Sequence, residues 1–390
     1  MMCYAPYNPS PLLQNGVAMT IYTSLWGGRN WEKTTKHPEP PYKEKIFIGA
    51  QGVPIFGLVA IPENAHSTII ATYGITGTLD NQWFLKLLGR KAYAQGYAVV
   101  LFDWRAHGKT AELSPTLTSD GLYEGEDFVR IAASAKDLGC PAKFWFTGFS
   151  LGGQLALWAV KAVEDLLTRG ADTESITPDS QLPTPDSQLL TPNSSLLTPN
   201  SQPPTPYSPL TIEDIGGAAV MCPSLDSVRS LAYLIKHPVG KYIEAGIARK
   251  LNQLAWKIHD AHPGSLDPTA IERAKTIWGF DHELVIEQLG FPSVEAYYNA
   301  SSALPLLPNL TKPTLIIYAA DDPFFEPALI PELEAICAEN PMIDLILTNN
   351  GGHVGYVSSK KGQRQAQDPD PWWAWNRILQ WFEYQGSREI

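Results

Sequence analysis

The 390-residue sequence predicts an α/β fold: a mostly parallel sheet with helices on both faces and a helical cap inserted over the strand ends. Two observations carry this. Short apolar runs of seven or eight residues alternate with helix-patterned stretches along most of the chain, as βα units sharing one sheet require. One long stretch, 225–298, has no strand-like run and stands as an addition to that pattern.

In chain order, 45–61 reads as a hairpin, KIFIGA and IFGLVAI, turning at Gln51-Gly52. STIIATYG (67–74) is the next strand, a helix follows over Trp83 to Ala94, and YAVVLFDW (97–104) is another strand. Asp127 to Leu138 places Phe128, Ile131, Ala135 and Leu138 on one helical face, with Gly139 set to end it. KFWFTGF (143–149) runs straight into the apolar helix LGGQLALWAVKAVEDLL, and GGAAVMC (216–222) is the strand after that. PTLIIYAA (313–320), a helix near Pro327 to Ala338, and MIDLILT (342–348) complete the alternation. The last helix is expected to start at Asp370-Pro371 and to present Trp372, Trp375, Leu379 and Phe382 on one face.

From Thr177 to Leu210 the chain repeats every seven residues: TPDSQLP, TPDSQLL, TPNSSLL, TPNSQPP and a partial TPYSPL. Proline in every copy excludes a coiled coil, at about 3 kcal/mol for each one in a helix interior. Few charges and no apolar face leave nothing to offset ordering entropy, so 171–210 is expected to be a disordered insertion. The expected organisation is one domain over 1–390, with this insertion and a cap at 225–300.

Composition narrows the function. With Lys and Arg at 29 against Asp and Glu at 40, the net charge of -11 repels nucleic-acid phosphates and anionic headgroups, so no nucleic-acid partner is expected. Cys3, Cys140, Cys222 and Cys337 are far apart with no CxxC pair, which suits reduced thiols. Neither a signal-like leader nor eighteen uninterrupted apolar residues occur, so a cytoplasmic protein without a permanent membrane anchor is expected.

Gly148-Phe149-Ser150-Leu151-Gly152 is the only G-x-S-x-G, and it sits where a strand becomes a helix. Such a turn exposes a serine on strained backbone. A serine hydroxyl needs an imidazole base, and the imidazole needs a carboxylate to fix its tautomer. His353 is the one histidine beyond the last strand, behind Asn349-Asn350-Gly351-Gly352. The acid belongs at the end of the preceding strand, where Asp321 and Asp322 both stand within reach. Oxyanion donors are expected from the amide of Leu151, after the nucleophile, and from the amide of Ile75 in the glycine-bearing loop ATYGITG. His259-x-x-His262, with His282 beyond, has metal-like spacing but no acidic or cysteine frame, so no metal is expected. In DWRAHG (103–108), Asp103 and Arg105 are expected to form a buried structural pair.

These motifs resemble the α/β-hydrolase superfamily, and within it the branch called AB hydrolase family four. The resemblance rests on PLLQNGVAMTIY (11–22), YGITG, FDWRAHG, GFSLGG, the run FDHELVIEQLGFPSVEAYYNASSALPLLPNLTKPTLIIYAADDPF (280–324) and GGHVGY (351–356). It implies an α/β-hydrolase fold, an esterase or lipid-acting hydrolase with no cofactor, and a triad of Ser150, Asp322 and His353, which selects Asp322 over Asp321. The chain departs from common superfamily usage at Tyr73, Ala106 and Lys109, and in its heptad repeat. The expected activity is cleavage of carboxylic esters, short-chain or acylglycerol-type, through an acyl-enzyme. Acyl transfer, thioester cleavage or ligand binding without turnover are the alternatives.

Overall fold

The computed structural model describes residues 4–170 and 210–388. The heptad repeat, and with it the expected disordered insertion, lies outside the described residues apart from Leu210.

Eight strands form one sheet: β1 (Lys43–Ile48), β2 (Pro54–Ala60), β3 (Ser67–Thr72), β4 (Tyr97–Phe102), β5 (Phe144–Phe149), β6 (Ile215–Met221), β7 (Thr314–Ala319) and β8 (Ile343–Thr348). Their order is β1-β2-β4-β3-β5-β6-β7-β8. β1 and β2 pair antiparallel, as do β2 and β4, while every pairing from β4 to β8 is parallel. Strands β3 through β7 are buried along their whole length, which is why their sequences read as unbroken apolar runs. β1 is mostly exposed, with Phe47 its one buried residue, and the turn after it places Gln51 and Gly52 at positive φ, 58° and 75°.

Helices Trp83–Ala94, Glu124–Asp137, Leu151–Gly170, Ile330–Glu339 and Trp373–Arg388 cover the sheet. The last begins later than expected. Pro371 and Trp372 are held in extended pairing with Val357 and Ser358, so Asp370 accepts from the Trp372 amide at 3.1 Å instead of capping at Pro371. All four residues of its expected face are buried, and Trp373 and Trp381 are buried beside them. Trp375 packs near Trp83 and Phe149, and Trp381 and Phe382 pack on Trp145, so aromatic rings fill the space between this helix and β5.

The stretch after β6 is a series of separate helices, the longest of 24 residues. Ser227–Lys236 is capped by the Asp226 side chain, Pro238–Ala261 starts with proline, and Pro268–Arg273 and Val294–Ser301 are capped by Asp267 and Ser293. These helices share their own apolar cluster, built on Leu251, Ala255, Ile258, Phe280 and Val285, which meets the rest of the chain through Ala106, Ala111 and Leu117.

The N-terminal part holds a helix absent from the element reading above, Gly16–Tyr22, capped by the Asn15 side chain. A Cβ on Gly16 would lie 1.6 Å from the Asp321 carbonyl oxygen, so the helix sits directly on the loop after β7.

Behind β4 one ion pair is sealed from water. Arg105 donates to Asp127 from Nε at 2.7 Å and from Nη2 at 2.9 Å, and to the Ala50 carbonyl at 2.7 Å, with both side chains wholly buried. Asp103, the expected partner of Arg105, is engaged elsewhere, which corrects that pairing: its oxygens are taken by Tyr73, Leu79 and Lys109. Replacing Asp127 by Ala strands the Arg105 charge in the interior, and a loss of about 3–5 kcal/mol is expected. Urea unfolding measures this; a loss below about 1 kcal/mol would contradict a sealed pair.

Candidate active site

β5 ends in a turn that the helix Leu151–Gly170 leaves at once, and Ser150 sits on that turn with φ of 55°. Left-handed backbone is costly for a residue with a Cβ, so it persists only where its surroundings hold it. Here the Ser150 amide donates to the Met221 carbonyl of β6 at 3.0 Å, and its carbonyl accepts from Gly153 at 2.8 Å. The glycines leave room for the fold-back: a Cβ on Gly148 would lie 1.8 Å from the Gly152 carbonyl oxygen.

The Ser150 hydroxyl is 2.8 Å from His353 Nε2, and His353 Nδ1 is 2.8 Å from Asp322 Oδ2. A carboxylate only accepts, so Nδ1 carries the proton and Nε2 is free to accept from the serine. The other Asp322 oxygen accepts from the Phe324 amide at 2.9 Å, and the Asp322 side chain is 1 % exposed. The Phe324 ring lies parallel to the imidazole with centroids 4.0 Å apart, and the His353 amide donates to Thr20 Oγ1 at 2.8 Å. The imidazole is thus hydrogen-bonded at both ring nitrogens and stacked along its plane on Phe324.

Asp321 turns the other way. It accepts from the Gly352 amide at 2.9 Å, holding the loop that carries His353, and its carboxyl is pushed up by burial. The two adjacent carboxyls therefore separate into one that meets the imidazole and one that shapes its loop.

Leu151 is the first residue of its helix, so its N–H has no intrahelical acceptor. The Ile75 N–H has no partner among the described residues, and both residues line one cavity with Ser150. Gly74 lies so close that a Cβ there would sit 2.8 Å from Ser150 Cβ. The loop Tyr73–Leu79 is held from two sides. Asp103 binds the Tyr73 hydroxyl and the Leu79 amide, and His107 Nε2 accepts from Thr76 N at 3.0 Å, where Thr76 has φ of 62°. Burial lowers the His107 pKa to about 4, so the ring stays neutral, with Nδ1–H on the Arg105 carbonyl and its face on Trp104.

Among the described residues one group, Cys222, Asp322 and His353, brings three metal-ligand types together. Burial and then the neighbouring Asp322 push the Cys222 thiol far up, so it offers a neutral S–H rather than a thiolate, and the other two are bonded to each other. His259 and His262 do not converge: their ring nitrogens meet the Leu266 and Ala111 carbonyls at 3.1 Å each. His282 is exposed beside Glu283.

The cavity holding Ser150 has a volume of about 110 Å³ and is mostly apolar, with Leu231, Leu234, Ile247, Leu251, Ile277 and Phe280 in its wall. A model of the alpha/beta hydrolase family matches residues 76–362. The chain belongs to that family. The hydrolase is 50% identical to the protein named "Putative esterase slr0264" from Synechocystis sp., over 97% of this chain and 94% of that one. It is 29% identical to a monoacylglycerol lipase of Saccharomyces cerevisiae over 25% of this chain and 21% of that one. An esterase structure from Pyrococcus furiosus aligns with 97% of this chain and 99% of its own, at 15% identity and a TM-score of 0.48.

Two further acids, Asp120 and Asp281, stand in the cavity wall without a sequence motif to mark them. Asp120 accepts from Thr118 Oγ1 at 3.1 Å, and Asp281 accepts from the Tyr298 hydroxyl. Burial, and then Glu124, push Asp120 up to about 7; burial, and then Asp120, push Asp281 well up. Nothing local marked them, because Asp120-Gly121 reads as a turn and Asp281 as one more helical acid.

A carboxyl whose folded pKa is raised adds stability in full below its unfolded value and loses it as pH rises through the folded one. For Asp120 that window runs from 3.8 to about 7. The melting temperature of the hydrolase relative to that of Asp120→Asn is therefore expected to fall from about pH 4 to about pH 7. Parallel pH curves for the two proteins would contradict the shift.

Proposed function

We propose that this hydrolase cleaves carboxylic esters by acyl transfer to Ser150. The observation that carries the proposal is the unbroken hydrogen-bonded line from Asp322 through His353 to Ser150, which ends in the cavity. The esterase and lipase names of the relatives support the same class of substrate.

In this reading Ser150 Oγ attacks the ester carbonyl while its proton passes to His353 Nε2. Asp322, accepting from Nδ1–H, stabilises the imidazolium and keeps the ring in register. Charge on the carbonyl oxygen meets the amides of Leu151 and Ile75, oriented before the substrate arrives. Collapse of the tetrahedral intermediate breaks the bond to the alkoxy oxygen, which leaves with the proton from Nε2. Water, deprotonated by the same nitrogen, then attacks the acyl-enzyme and returns Ser150. The helices of 225–300 act as the cap, and their aliphatic wall suits an uncharged acyl group, short-chain or acylglycerol-type. No cofactor takes part.

Turnover of p-nitrophenyl butyrate is expected to fall by about 10⁴-fold or more in Ser150→Ala, and by about 10⁴-fold in Asp322→Asn. Asp321→Asn is expected to lose much less, since it acts only through the loop. Undiminished rates in Ser150→Ala would sink the proposal, and a larger loss in Asp321→Asn than in Asp322→Asn would reassign the acid.

His107→Ala is expected to lower kcat while leaving KM nearly unchanged, because it frees the Thr76 amide and loosens the loop that carries Ile75. His107→Gln, which keeps an acceptor, is expected to recover part of the rate. Equal losses in both variants, or a change confined to KM, would contradict a role in holding that loop.

A further inference from the structure

The helices Ser227–Lys236 and Pro238–Ala261 meet at a corner where five consecutive residues, 235–239, are all exposed. Three side chains on and beside it are apolar and open to solvent: Ile235 is 50% exposed, Val239 45% and Tyr242 84%. Such a cluster at the tip of a helical hairpin costs solvation without serving the core behind it.

Along the chain through this corner the exposed charges are of one sign. Between Leu231 and Leu251 the chain carries Lys236, Lys241, Arg249 and Lys250, all exposed, against a single acid, Glu244. Glu244 is buried and turned inward, accepting from the Ile277 amide at 2.8 Å. Among the described residues none of the four cations has an acidic partner. On a chain of net charge -11, this corner is a local reversal.

The opposite faces of the same two helices look into the cavity. Leu231 and Leu234 come from the first, Ile247 and Leu251 from the second, and they share its wall with Ser150. Each helix thus has an inner apolar face on the cavity and an outer face of cations and exposed apolar side chains.

We infer that this corner docks the hydrolase on an anionic lipid surface, with Ile235, Val239 and Tyr242 entering the headgroup boundary and the four cations pairing with lipid phosphates. Apolar insertion combined with basic residues is the chemistry of an interfacial helix, and charge complementarity selects an anionic membrane over an uncharged one. The contact is reversible and falls with salt, because exposed charges are screened within about 10 Å at 0.1 M. It places the cavity wall against the phase that holds lipid esters, so it goes beyond the proposed chemistry and rests on that reading only for its purpose.

Sedimentation of the purified protein with vesicles tests it. The protein is expected to co-sediment with vesicles of equal parts phosphatidylcholine and phosphatidylglycerol, weakly with phosphatidylcholine alone, and to be released by high salt. Lys236→Glu with Lys241→Glu is expected to weaken binding about tenfold or more. Val239→Ser with Tyr242→Ser should weaken it too, and both variants should hydrolyse water-soluble p-nitrophenyl acetate at the unchanged rate. Ser150→Ala should bind as the parent does, so loss of the docking reading and loss of the catalytic reading are told apart. Absence of binding, equal binding to both vesicle types, or binding untouched by the substitutions overturns the inference. A vesicle-independent dimer abolished by Val239→Ser with Tyr242→Ser would assign the corner to a second copy of the chain.

Discussion

The site depends on one close approach of backbone to backbone. Where β5 turns into the helix Leu151–Gly170, the Gly148 α-carbon faces the Gly152 carbonyl so tightly that no Cβ fits, and Ser150 is held at φ of 55°. That conformation costs about 1–3 kcal/mol and survives only in a surrounding that over-determines it. The bonds from Ser150 to Met221 and Gly153 supply part of that surrounding, and the burial of β5 between β3 and β6 supplies the rest. The helix start then leaves the Leu151 amide without an acceptor beside the hydroxyl.

Around this fixed point, each remaining group is held by a different part of the chain. The N-terminal helix supplies Thr20 to the His353 amide, the loop after β7 supplies both aspartates, and the segment after β4 pins the Tyr73–Leu79 loop through Asp103 and His107. Arg105 lies between these last two in sequence and anchors them through its sealed pair with Asp127. Stability and site geometry therefore share residues, and the buried neutral His107 is an instance: its polar atoms are spent on holding backbone.

Much of this was legible in the sequence, and for physical reasons. Central parallel strands are apolar on both faces, so β3 to β7 can be placed within a residue or two, and a G-x-S-x-G at a strand-to-helix junction has few other uses. Glycines with a steric purpose leave a pattern. Hydrogen-bond partners distant in sequence leave none. Asp103 and Arg105 are two residues apart and of opposite charge, which suggests a pair, yet each is claimed by a different element. The choice of Asp322 over Asp321 came from resemblance, since spacing alone left both open; in the structure they point to the imidazole and to its loop, respectively. Asp120 and Asp281 were invisible because their shared environment is made by a cavity, not by any local motif. The late start of the last helix followed from an extended pairing with Val357 that helix-capping rules do not see.

The most direct test of the central claim is covalent. Treatment with a fluorophosphonate, followed by intact-mass and peptide mass spectrometry, should give one adduct per chain on Ser150, with labelling slowed strongly in His353→Ala. A label on another residue, or full ester turnover with Ser150 left unmodified, would contradict the account.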